Sequence, residues 1–253
     1  MADPVTLITG ASSGLGTLFA KACAARGDRV ALVARRKNKL NELAKELGPK
    51  TIVISEDLSD YDAPDVIIGA VESIGGQVET LINNAGFGAK GAFHRIPLGD
   101  QTDMMHVNAM AVAQLCHRVI PGMIARGGGA ILNVASTAAF SAGPGMATYY
   151  ASKAFVLSLT EALHEELSPH NIRVTALCPG ATTTEFAHQA GMTETQLFQK
   201  FAGDPESVVI AGLKGLAKNK AIVIPGAVNK AMVQSNRLAP RSVAREIVKL
   251  LQK

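Results

Sequence analysis

The sequence predicts an α/β fold in three layers, a doubly wound sheet of seven parallel strands between two sets of helices. Three observations predict it. Short apolar runs alternate with helix-periodic segments from one end to the other, the order of βαβ units and parallel pairing. The apolar runs are near-continuous, as in strands buried on both faces. The 253 residues are 47% hydrophobic and can fill one sizeable core. No linker, repeat or low-complexity run interrupts them, so one domain spanning 1–253 is expected.

The first strand, Val5–Thr9, ends in Thr9-Gly10-Ala11-Ser12-Ser13-Gly14-Leu15-Gly16 and runs into a helix, Leu15–Ala25. An apolar second strand, Arg29–Ala34, is followed by a helix at Asn38–Leu47 and a short third strand at Thr51–Ile54. Pro64–Ile74 reads as a helix opened by a proline, which suits a first helical turn, and Thr80–Asn83 as the fourth strand. Apolar residues at helical spacing predict one long helix over Asp103–Ala125. Gly127-Gly128-Gly129 reads as its stop, not as a ligand loop. Ala130–Ala135 and Arg173–Cys178 are the fifth and sixth strands, with a helix over Tyr149–Leu167 between them, most regular at Phe155–Leu167.

The rhythm breaks over Ala181–Lys220, which holds an amphipathic piece at Glu194–Phe201 and a capped helix start at Gly203-Asp204-Pro205-Glu206. An insertion beyond a strand's carboxyl end is where a substrate lid sits. The seventh strand, Ile222–Ile224, precedes two helical pieces, Ala227–Arg237 and Pro240–Lys253, a C-terminal tail over 227–253.

Composition narrows the function classes. A formal charge of +4, scattered basic residues, 4% aromatics and no Trp are not the basic, aromatic-interleaved stripe of a nucleic-acid binder. No apolar run reaches the 18 or more residues that span a bilayer, and Met1-Ala2-Asp3-Pro4 opens without a basic signal region. Cys23, Cys116 and Cys178 are few, odd in number and far apart. They fit neither a disulfide framework nor a zinc site, so no metal is expected and the cytoplasm is the expected compartment.

Two motifs carry chemistry. Glycines in the first turn let backbone N–H groups and a helix N-terminus approach a pyrophosphate, although the spacing is G-x-x-x-G-x-G. Tyr149 and Lys153 lie one helical turn apart, on the same face. A neighbouring ammonium favours phenolate and would lower the tyrosine pKa from its reference of about 10. Tyr150 has Ala154 at the same offset and no facing cation. By spacing alone the Tyr149–Lys153 pair reads first as a solvated surface pair, and only the rest of the chain argues otherwise.

Taken in order, Thr9 to Gly16, Asn83-Asn84-Ala85-Gly86, Asn108, Ser136, Tyr149 with Lys153, and Pro179-Gly180 resemble the classical short-chain dehydrogenase/reductase family over nearly the whole chain. The C-terminal pieces are closer to the bacterial subgroup labelled DltE-like oxidoreductases. The resemblance implies a Rossmann-type sheet and a nicotinamide cofactor. Gly10, Ser12, Ser13, Gly14, Leu15 and Gly16 match the pyrophosphate turn. Asp57 and Leu58 match the adenine contact, and Asn83, Asn84, Ala85 and Gly86 the segment after the fourth strand. Ser136, Tyr149 and Lys153 match the catalytic serine, tyrosine and lysine. Asn108 matches the asparagine that supports a water beside the lysine. Pro179, Gly180, Thr182 and Thr184 match the stretch over the nicotinamide. The four-residue Tyr–Lys spacing argues against enoyl reductases, and extended epimerase-like members are longer with other glycine patterns.

Cofactor choice follows from the second strand, which ends in Arg35-Arg36-Lys37 without a carboxylate. A carboxylate there would select NAD through the ribose 2′-OH, whereas guanidinium suits a 2′-phosphate. NADP(H) is therefore expected ahead of NAD(H). Phe87, Phe93, His94, Ala138, Phe140, Met146, Phe186, Met192 and Phe198 are expected near the mouth, implying a hydrophobic ketone, aldehyde or alcohol. His94 and His188 are read as solvent-facing. The expected activity is carbonyl–alcohol interconversion with Tyr149 as general acid/base. The alternative is a nucleotide-binding regulatory or scaffold protein without turnover. A homodimer or homotetramer is expected: the Asp103–Ala125 and Tyr149–Leu167 helices offer a dimer interface, whereas the C-terminal pieces depart from those that build the family's usual tetramer. For the basic amphipathic tail, packing on the core is favoured over contact with a membrane surface.

Overall fold

A computed structural model describes residues 2–191, 195, 198–199, 202–238 and 240–251. Seven strands form one parallel sheet: β1 (Asp3–Thr9), β2 (Arg29–Val33), β3 (Ile52–Ile54), β4 (Gly76–Asn83), β5 (Gly129–Val134), β6 (Ile172–Leu177) and β7 (Ile222–Val223). Their spatial order is β3-β2-β1-β4-β5-β6-β7. The strand order reverses between β1 and β4, and the crevice beyond the carboxyl ends of such neighbours is where doubly wound sheets bind ligands.

Helices cover both faces because neighbouring strand residues point to opposite sides. In β1, Leu7 faces one apolar cluster and Ile8 the other. The Leu7 side is filled by α3 (Ala63–Ser73), α5 (Ala111–Ala125) and α6 (Ala147–Leu167), with Ile67, Leu115, Met123 and Val156 buried. The Ile8 side is filled by α1 (Gly14–Ala25) and α2 (Lys37–Leu47), with Phe19, Leu40 and Leu43 buried. Each such fully buried large side chain contributes roughly 1.5–3 kcal/mol of transfer free energy. The three-layer, Rossmann-type sheet expected from the sequence is the observed architecture.

Several boundaries differ. β4 starts at Gly76, four residues before the expected Thr80. The long helix expected over Asp103–Ala125 is two helices, α4 (Leu98–Met105) and α5, joined by a π turn at His106–Met110. The expected helix stop is observed: Gly127 has φ +76°, its N–H donates to Ile124 O, and Gly128 N–H to Met123 O.

Within the Ala181–Lys220 segment, α7 spans Glu185–Gln189 and α8 spans Pro205–Ala217. Asp204 caps α8 by accepting from Ser207 N at 2.8 Å. Val208, Val209 and Leu216 of α8 pack with α1 and α2 on the sheet, and the described residues of the segment that line the crevice all precede α8. Most of Glu194–Phe201 lies outside the described residues. The C-terminal tail forms α9 (Ala227–Leu238) and α10 (Arg241–Leu251). Val248 of α10 packs with Met104, Met146, Tyr149 and Tyr150. No helix among the described residues is long and apolar enough to cross a membrane.

Candidate active site

A cleft of about 350 Å³ opens at the carboxyl ends of β1, β2, β4, β5 and β6. One end is the β1–α1 turn. Gly10 and Gly14 have φ of +66° and +54°, a region open to glycine at little steric cost. At Gly16 a Cβ would lie 2.1 Å from Gly10 O and 2.7 Å from Asn84 Nδ2, so only glycine lets α1 start so close to β4. Thr9 Oγ1 accepts from the N–H groups of Asn84 and Ala85, both at 3.0 Å, and Asn84 Nδ2 donates to Thr9 O at 2.9 Å. These bonds tie the glycine turn to Asn84-Ala85-Gly86.

The other end holds Ser136, just beyond β5, with Tyr149 and Lys153 on the first turns of α6. The Ser136 hydroxyl faces Tyr149, whose phenolate it favours, and donates to Pro179 O at 3.4 Å. Ser136 Oγ also accepts from Ala138 N at 3.1 Å. Lys153 Nζ donates to Val134 O at 2.8 Å and sits 5.9 Å from the Tyr149 ring centroid. Asn108, in the π turn, accepts from Phe87 N at 2.9 Å and donates to Phe87 O at 2.8 Å and Ser152 Oγ at 3.1 Å. Ser152 Oγ in turn donates to Tyr149 O at 2.7 Å.

A buried polar chain sets these elements in register. Asn83 Nδ2 donates to Asn133 Oδ1 at 2.9 Å, and Asn133 Nδ2 to Thr160 Oγ1 at 3.0 Å, linking β4, β5 and α6. Sequence reasoning missed Asn133, Thr160 and Ser152. The available signal is a polar residue inside an apolar strand or helix face, which requires a buried partner.

Electrostatics correct one expectation. Tyr149 is pushed up to about 12, by burial first, with the Ser136 hydrogen bond opposing. Lys153 is pushed down to about 8, also by burial. Both side chains are almost fully enclosed, and desolvation disfavours phenolate and ammonium alike. The lowered tyrosine pKa expected from the Lys153 ammonium is not what this arrangement produces. At the β2 end of the cleft burial pulls the Asp57 carboxyl upward. The Ser59 hydrogen bonds and Arg35 outweigh it, leaving Asp57 below the usual carboxylate range.

The short chain dehydrogenase family model matches residues 4–195. This chain belongs to the short-chain dehydrogenase family. Among its relatives is the ketoacyl reductase HetN of Nostoc sp., 31% identical over 94% of this chain and 86% of that one. A short-chain dehydrogenase from Sphingobium yanoikuyae, solved with NADPH, is 33% identical with a TM-score of 0.82, covering 93% of this chain and 94% of the other. A 3-ketoacyl-(acyl-carrier-protein) reductase from Brucella melitensis, solved with NADH, is 30% identical with a TM-score of 0.80, covering 87% and 96%. The protein is thus an oxidoreductase of the CH–OH/C=O class.

In this short-chain dehydrogenase the cleft brings together Gly10, Ser12, Ser13, Gly14, Leu15, Arg35, Arg36, Asp57, Leu58, Asn84, Ala85, Gly86, Ser136, Tyr149, Lys153, Pro179, Gly180, Thr182 and Thr184. Gly16 and Asn108 stand behind its wall. Tyr150, set aside by spacing, also lines the cleft, edge-on to Tyr149 with centroids 6.1 Å apart. Of the apolar residues expected at the mouth, Phe87, Ala138, Phe186 and Phe198 line the cleft. Met146 is buried behind Tyr149 and Tyr150, whereas Phe93 and His94 face solvent. Met192 and the His188 side chain lie outside what is described.

Proposed function

We propose that the protein is an NADP(H)-dependent oxidoreductase that interconverts a hydrophobic ketone or aldehyde and its alcohol, with Tyr149 as general acid/base. The observation that carries this reading is the convergence of Ser136, Tyr149 and Lys153 on the same cleft as the glycine turn. The donor set fits a dinucleotide. The first turn of α1 holds no acidic residue, and the Ser13 side chain makes no cap hydrogen bond, leaving amide N–H groups and a hydroxyl for a pyrophosphate. The cleft volume lies in the range of small-molecule sites, about 300–1,000 Å³. Gly10, Ser12, Ser13, Gly14 and Leu15 would hold the pyrophosphate, Asp57 and Leu58 the adenine, and Lys153 the nicotinamide ribose. Pro179, Gly180, Thr182 and Thr184 would hold the nicotinamide. When bound, the cofactor supplies or accepts the hydride.

Ser136 donates a hydrogen bond to the substrate oxygen, where negative charge develops on reduction. Tyr149 gives that oxygen its proton. A pKa raised to about 12 keeps Tyr149 protonated at neutral pH, which suits reduction. Asn108 anchors the main chain between Gly86 and Phe87 beside Lys153 and so fixes the path by which the lysine regains its proton. The absence of a carboxylate at the end of β2, with Arg35 and Arg36 there instead, supports NADP(H). Within the 181–220 segment, Ala181, Thr182, Thr184, Phe186, Ala187 and Phe198 line the cleft and support its reading as a lid, and the three buried free cysteines fit a reducing, cytoplasmic compartment.

The test follows NADPH oxidation with aryl ketones, β-ketoesters and aldehydes, for the wild type and Tyr149→Phe. The variant should bind NADPH as the wild type does and lose about 10²–10⁴-fold in turnover. Turnover that survives the substitution would remove Tyr149 from the mechanism. Tight NADPH binding by a wild type inert toward every carbonyl would favour a nucleotide-binding regulatory protein.

A further inference from the structure

Arg35 and Arg36 leave β2 side by side, yet their guanidinium groups are in opposite situations. Arg35 is 71% exposed and makes a long contact of 3.5 Å with Asp57. Arg36 crosses the glycine turn. Its Nε donates to Ser12 Oγ at 3.2 Å and Nη2 to Ser12 O at 3.4 Å. Its Nη1 and Nη2 pair with the two carboxylate oxygens of Glu185 at 2.6 and 3.1 Å. A guanidinium carries five N–H donors in a fixed planar fork. The contacts to Ser12 and Glu185 take up both the Nε and Nη edges. A second anion cannot be gripped bidentately until one of those partners leaves.

Glu185 is the first residue of α7 and 149 positions from Arg36 in sequence. Its neighbour Thr184 stands over the same turn, 3.4 Å from where a Cβ of Gly14 would be. The ion pair therefore joins the end of β2 to the segment that covers the phosphate-binding turn. Glu185 is the partner that can leave, because Ser12 belongs to the turn itself.

We propose that Glu185 is a positioning residue for cofactor selection. Its carboxylate holds the edge of Arg36 that a ribose 2′-phosphate would need. A phosphorylated dinucleotide must displace it and an unphosphorylated one need not. This rests on the NADP(H) reading of the cleft and adds a brake to it: Arg35 meets the 2′-phosphate first, and Arg36 joins only in exchange for Glu185. Both partners are about 40% exposed, and exposed pairs contribute little. The brake is therefore worth about threefold to fivefold in affinity.

The test measures dissociation constants of the full chain for NADPH, NADH and 2′,5′-ADP by calorimetry, at two salt concentrations. Glu185→Gln should tighten NADPH and 2′,5′-ADP by about threefold to fivefold and leave NADH unchanged, while Glu185→Asp should stay close to the wild type. An equal change for NADPH and NADH would mean that Glu185 only packs the cover, and would overturn the proposal, as would no change at all. Arg35→Ala separates the two levels. If it abolishes the preference for NADPH while Glu185→Gln leaves that preference intact, the brake alone is wrong. If the wild type shows no such preference, the NADP(H) reading and the brake fall together.

Discussion

Lys153 is an ammonium held where water barely reaches, 5% exposed and bonded to the Val134 carbonyl. Its folded pKa of about 8 lies below the ordinary 10.5. Between those values the folded chain binds fewer protons than the unfolded chain, so stability rises with pH there, and the burial penalty is fully present below about pH 8. Tyr149 acts in the opposite sense. Its folded pKa of about 12 exceeds the ordinary 10.0, so the folded chain binds more protons between those values and stability falls. Cys23, Cys116 and Cys178, whose thiols burial pushes up from 9.0 to about 11, about 12 and about 12, act in the same sense as Tyr149 from about pH 9. Wild-type unfolding free energy should therefore climb only from about pH 8 to about pH 9, by roughly 1.4 kcal/mol, and then decline. Lys153→Met should flatten the climb, because it removes the buried ammonium that causes it. Parallel denaturation profiles would show that the ammonium is not desolvated. The pairing of Tyr149 with Lys153 was legible from their one-turn spacing, but the burial that sets both pKa values was not. Burial depends on Phe186 and on Val248 of α10, both remote from the pair in sequence.

The π turn at His106–Met110 shows where local pattern stops being informative. Apolar spacing over 103–125 fits an unbroken helix. The chain departs from one at Asn108, whose amide bonds both main-chain groups of Phe87 and the Ser152 hydroxyl. π turns of this kind recur at functional sites. Here its partners are 21 and 44 residues away, outside any periodicity window. The glycine turn was legible because its cause is local: two positive φ values and a helix start that excludes a Cβ. Asn108→Ala would leave the Phe87 N–H and C=O without their partner. A buried polar group left unmade costs about 1–3 kcal/mol, so the variant should lose about 2–4 kcal/mol in chemical denaturation. Its turnover should fall further than its NADPH affinity, because the loosened segment after β4 lies beside Lys153. Wild-type stability in the variant would mean that the π turn is held by backbone preference alone.

At the scale of the molecule, alternating apolar runs were enough to read the sheet, since burial on both faces leaves a continuous signature in each strand. What covers the outer surface is not written that way. Met110 in the π turn, Ile124 on α5 and Phe155 on α6 are 46%, 39% and 39% exposed. Val243, Ile247 and Leu250 form an exposed stripe on α10, while Ala244 and Val248 of the same helix are buried. Large apolar side chains left in water at helical spacing mark association surfaces. In a closed two-fold assembly each patch meets its own copy. We expect the full chain to sediment as a dimer or tetramer. Phe155→Glu should dissociate it wherever α5 and α6 form the primary contact, because a carboxylate facing its symmetry mate is repelled as well as desolvated. Should the mass be unchanged by Phe155→Glu and halved by Ile247→Lys, the contact lies on α10 instead. Because Val248 packs with Tyr149 and Tyr150, assembly on that face would brace the wall of the catalytic cleft. Activity would then fall on dilution together with the mass.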